Sequence, residues 1–80
     1  MVRTFHGALT GHGLVAAYVS GEIDETIGAP PPLRRGWFGW HVSPPLRPGE
    51  RYRLEVEPPL WYDIAITGVA GPRVSFEEIP

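Results

Sequence analysis

Eighty residues with ten prolines, ten glycines, no cysteine and a net charge of −2 make one thin-cored domain, because a chain this short buries only about 60% of its unfolded surface. A disulfide framework and a thiolate metal site are excluded, and the acidic balance argues against a general polyanion binder, which is usually clearly basic. No apolar stretch approaches the roughly 18 residues of a membrane span. The first residues alternate rather than setting an apolar block behind basic ones, so no membrane contact is expected and the expected setting is cytoplasmic.

Glycine and proline interrupt every window that could hold a helix, so the elements read as strands. Residues 3–10 and 14–20 flank Gly11-His12-Gly13 as a hairpin. Ser20-Gly21 is expected to end the second strand, with a short edge strand over 22–27. Residues 28–36 hold three consecutive prolines, which favour extended polyproline II backbone and cannot sit inside a sheet. The next strand spans 36–43, with Phe38, Trp40 and Val42 inward and Trp37 and His41 outward. Pro48-Gly49 then turns the chain back.

The C-terminal half alternates cleanly. Tyr52, Leu54 and Val56 fall on one face of 51–57, and four charged residues fall on the other. Over 61–67, Tyr62, Ile64 and Ile66 point inward while Trp61, Asp63 and Thr67 point outward. After a turn over 68–72, Val74 and Phe76 point inward from 73–78, with Arg73, Ser75 and Glu77 outside. Pro-Pro-Leu at 31–33, 44–46 and 58–60 precedes a strand each time, a recurring loop solution rather than a structural repeat. The sum is an all-β single domain over 1–80: a small five- to six-stranded antiparallel barrel or compact sandwich, meander-like in its connections.

Candidate binding residues are Trp37, Trp61, Arg34, Arg35 and His41. Outward tryptophans on a small domain suit a partner protein or self-association as a homodimer. Against this stands the ordinary role of covering the open ends of a barrel. Arg34 and Arg35 beside Trp37, with Trp61, also resemble a site for single-stranded nucleic acid, which stacks on aromatics while arginines hold phosphate. Net charge and the absence of lysine favour solvated loop arginines instead. An enzyme or metal site could use only His41 with Asp63, beside Ser43. His6 and His12 match no metal-ligand spacing, and no nucleophile elbow, zinc-protease motif or phosphate loop is present. The expectation is therefore a protein-binding or adaptor module, with no catalytic centre, no metal and no cofactor.

Overall fold

The computed structural model describes residues 2–11, 13–24, 34–42, 45–57 and 60–79. They form six strands: β1 (Val2–Gly11), β2 (Leu14–Asp24), β3 (Arg35–Gly39), β4 (Arg51–Glu57), β5 (Leu60–Ala70) and β6 (Arg73–Glu78). All pair antiparallel in one closed barrel of order β1-β2-β3-β6-β5-β4. No helix occurs among the described residues. Of barrel and sandwich, the chain forms the barrel. Closure follows from size, because an open six-stranded sheet of this length would leave one whole face bare and two long edges free.

Alternation decides what fills it. Tyr52, Leu54, Val56, Ile64, Ile66, Val74 and Phe76 all join one buried cluster, with Phe5, Leu9, Val19, Ile23 and Phe38 arriving from β1–β3. Phe76 lies at the centre of this cluster, edge-on to Phe5 at 6.2 Å and tilted against Phe38 at 5.8 Å. No polar or charged side chain is buried among the described residues. Burying one without a partner would cost several times what a methylene contributes.

Three corrections to the expected boundaries have one cause each. Ser20-Gly21 does not end a strand: β2 continues to Asp24, paired with β1 in one register from Ala17 to Asp24 after an irregularity between Leu9 and Gly11, and residues 25–27 lie outside the described residues. Gly21 faces inward where β3 crosses closely, and a Cβ there would sit 2.0 Å from the Trp37 carbonyl oxygen. Glycine marks a close approach here rather than a turn. Similarly, the turn expected over 68–72 shrinks to Gly71-Pro72, because β5 continues to Ala70 past a register irregularity between Ile66 and Gly68.

The strand expected over 36–43 stops at Gly39. In the six-strand ring β3 and β4 stand directly opposite each other, so the chain between them must cross the barrel mouth. Trp40 leaves β2 and donates its N–H to the Pro72 carbonyl at 2.7 Å. Farther along, Gly49 N–H reaches Ile66 O at 2.8 Å. Pro48 and Gly49 make the expected turn, Gly49 at φ 92° where a side chain would be strained. Trp40 and Leu46 drop into the mouth and join the core, whereas Val42, expected inside, is 59% exposed. The end is therefore plugged by Trp40, and not by Trp37 or Trp61. The polyproline residues 28–33, along with His12, Ser43, Pro44 and Pro58-Pro59, lie outside the described residues.

Candidate functional site

The barrel scatters the residues that a single-strand groove would need. Trp37 is half-buried on β3: its indole N–H donates to Glu22 Oε1 at 3.0 Å, and the Arg73 guanidinium lies 4.3 Å from its ring centre. Trp61 is 45% exposed on β5, with Arg53 3.9 Å from its ring. Between the two strands lies β6. Trp37 faces Ser75 across it, while Trp61 precedes the first β5–β6 pair, Ile64↔Glu78. The two tryptophans share no patch.

Arg34 is a fastener. Its guanidinium and its N–H both bond Glu78 Oε1, at 3.1 and 3.2 Å, and it lies 4.5 Å from the Tyr62 ring. Arg35 is exposed in register between Asp24 and Glu77, two carboxylates that offset its charge. His41 and Asp63 are set apart as well. His41 follows Trp40, which is bonded to Pro72 ahead of β6; the Asp63 carbonyl takes the N–H of Ile79 beyond β6. The six residues of β6 separate them, about 20 Å at the rise of a strand.

A different set converges. On the outer face of β1, β2 and β3 the register gives the rows Thr4–Glu22–Trp37, His6–Ser20 and Ala8–Tyr18. Over them lies an open groove of about 500 Å³ that takes in His6, Tyr18, Ser20, Gly39, His41 and Glu55. It runs into a second groove that shares His6, Ser20, Gly39 and His41 and reaches Thr4 and Trp37. Ser20 and Gly39 make the floor because they are small. The His41 ring covers Gly39, its Nε2 3.3 Å from where a Cβ would stand. Tyr18 rises from the rim 91% exposed.

Among the described residues no three His, Asp or Glu side chains come together as a metal site, and no hydrogen bond joins His6, Ser20 and His41. Comparison with protein-family models, curated proteins and solved structures finds no match to this chain. The site therefore rests on geometry alone. What the trough offers is aromatic and imidazole surface over a shallow floor, the make-up of a contact face rather than an enclosed pocket.

One backbone feature adjoins it. The β2–β3 ladder begins only at Gly21↔Phe38, so residues 14–20 of β2 pair with β1 on one side, across an irregularity between Leu14 and Ala17, and with no described strand on the other. Tyr18, His6 and Ser20 are not among the binding residues that the sequence suggests. The available signal was the absence of charge from Gly11 to Gly21, combined with alternation that puts Val19 inside and therefore Tyr18 outside.

A perturbed acid sits elsewhere, by the mouth. Tyr52 donates its hydroxyl hydrogen to Glu50 Oε1 at 2.9 Å. Burial, then that hydrogen bond and the carboxylate's charge, push its pKa up to about 12. Glu50 also receives the Arg47 N–H at 2.8 Å, so it braces the turn that carries the crossing segment onto β4.

Proposed function

We propose that this barrel is a cytoplasmic protein-contact module, an adaptor or regulatory subunit rather than an enzyme, and that it works through the outer face of β1, β2 and β3. The observation that carries this is Tyr18, 91% exposed, beside a strand segment that has no charge and, among the described residues, no second strand partner. Isolated exposed apolar groups are ordinary. A near-naked tyrosine next to a chargeless edge is not, since edges left to solvent are normally blunted by charge or proline. The interior supports the same reading, because side chains fill it and, among the described residues, no polar or charged side chain is buried there to orient a ligand.

A photo-activatable residue at position 18, with the same residue at Val69 on the β5–β6 hairpin as control, tests this in the host cell. The expected result is a discrete protein adduct from position 18 alone, competed by excess unlabelled domain but not by a Ser20→Arg domain. Adducts to nucleic acid, or the same pattern from both positions, would overturn it.

A further inference from the structure

We propose that this face takes an arginine side chain of a partner protein, seated over Ala8 between the Tyr18 ring and the Glu55 carboxylate. This rests on the contact reading above and gives its partner a chemistry.

The strand register builds the seat. Ala8 of β1 stands opposite Tyr18 of β2, within the regular part of that ladder, and opposite Glu55 of β4 on its other side; Glu55 in turn stands opposite Trp61 of β5. Tyr18, Ala8, Glu55 and Trp61 therefore form one row across four strands, on the outer face to which Tyr18 points. Neighbouring strands lie about 4.8 Å apart, so the ring and the carboxylate flank Ala8 at about 10 Å from each other. Only a methyl group stands between them, and all three residues line the groove described above. The gap is about one side chain wide.

Charge decides the sign of the occupant. Glu22 and Glu55 are the acidic residues of the two joined grooves, and no arginine lines either among the described residues. Glu22 is held by the Trp37 indole. Among the described residues no side-chain hydrogen bond or ion pair holds Glu55, because Arg53, two residues back on β4, lies over Trp61 instead. A half-buried carboxylate beside an exposed ring attracts a cation twice over, through the ion pair and through the negative face of the ring. The same carboxylates repel phosphate, which sets nucleic acid aside.

The chain holds a filled version of the same arrangement. Arg34 lies 4.5 Å from the Tyr62 ring while its guanidinium bonds Glu78 Oε1 at 3.1 Å. Arg53 over Trp61 and Arg73 over Trp37 are further guanidinium–ring contacts on this barrel. Tyr18 and Glu55 supply the ring and the carboxylate, and the partner supplies the cation. Arginine fits better than lysine, since a planar guanidinium stacks on a ring and forks to a carboxylate at once, whereas an ammonium is a compact point charge.

An NMR titration of the labelled domain tests this with an acetylated, amidated Gly-Ser-Arg-Ser-Gly peptide and its lysine and citrulline counterparts; citrulline keeps the planar shape without the charge. The expected result is a saturable shift of the Ala8, Tyr18 and Glu55 amides with the arginine peptide, weaker binding of the lysine peptide and no saturation with citrulline. Glu55→Gln and Tyr18→Leu should each weaken the arginine peptide about threefold, the worth of one exposed ion pair or one cation–ring contact. Glu77→Gln, exposed on β6, should not. Circular dichroism checks that each variant folds. Arginine and citrulline peptides binding alike, a Glu55→Gln domain binding as well as wild type, or shifts centred away from this row would overturn the inference. So would the same amides moving with the concentration of the domain alone, which would seat a second copy there. Failure here together with a Tyr18-specific protein adduct leaves the contact reading standing; failure of both removes both.

Discussion

Gly21→Ala is the substitution with the largest effect that the architecture predicts for a single added methyl group. A Cβ at this position would lie 2.0 Å from the Trp37 carbonyl oxygen and 2.6 Å from Phe38 Cα. Both are backbone atoms of a strand pinned on its far side by β6, so no side-chain rotation relieves the overlap. The β2–β3 pair must open by about 1 Å at Gly21↔Phe38, which disturbs the ladder next to the fully buried Phe38. Overpacking of this kind costs about 1–3 kcal/mol, here at the upper end, and a weakened ladder bond adds about 1 kcal/mol. The total of about 3–4 kcal/mol compares with about 4–12 kcal/mol for a whole domain of this size. Since 1 kcal/mol moves the midpoint of a small domain by about 4–8 °C, thermal unfolding should fall by well over 10 °C. Gly68→Ala is the matched control, because nothing lies within 4 Å of its added carbon. Urea unfolding of the two side by side gives the difference. Values within 1 kcal/mol of each other would refute the close-approach argument.

Other outcomes follow from the same geometry. The Tyr52 pKa is raised on folding from 10.0 to about 12, so its contribution to stability is complete below about pH 10 and is lost as pH rises towards 12. Absorbance titration should show one tyrosine ionising near 12, and Glu50→Gln should move it down; an unchanged titration would contradict the Glu50 contact. Ile64→Val, at a fully buried position, should cost about 0.5–1.5 kcal/mol in chemical unfolding, and a neutral result would mean a looser core than described. Trp37→Phe should cost about 1 kcal/mol in chemical unfolding through the lost bond to Glu22, and an unchanged stability would contradict that bond. No oligonucleotide should bind more tightly than micromolar at physiological salt, because Trp37 and Trp61 share no face. A nanomolar complex weakening steeply with salt would reverse the preference for a protein partner.

The sequence showed its fold most clearly where alternation is unbroken. Of the eight residues that alternation points inward between 51 and 76, seven join the buried cluster and Tyr62 packs half-buried against it, because a period of two leaves no choice of face once one residue is placed. Glycine was less legible. Gly21 and Gly49 are the same letter, yet one permits a close strand crossing and the other a left-handed turn, and only the neighbouring strand distinguishes them. The β3–β4 connection is hard to read for a related reason. Alternation over 36–43 points Val42 inward, but ring order pulls the chain off the sheet after Gly39 to cross the mouth. That order is a global property absent from any local window.

The site was less legible still. Tryptophan drew attention because of its size, yet Trp37 is taken up by Glu22 and Arg73 and Trp61 by Arg53, contacts between strands far apart in sequence. Tyr18 stands in a plain apolar run that does not mark it locally. Its significance comes from where β3 begins to cover β2, and β3 is fixed by Gly21 and Gly36, whose neighbours press in too closely for a side chain.

Amide hydrogen exchange along β2, compared between the free domain and its complex with the protein captured at position 18, tests the central claim most directly. If the outer face of β1, β2 and β3 is the contact face, the amides around Tyr18 become protected in the complex, while the β6 amides, already paired on both sides, stay constant. Exchange around Tyr18 that is the same in the free domain and in the complex would contradict it.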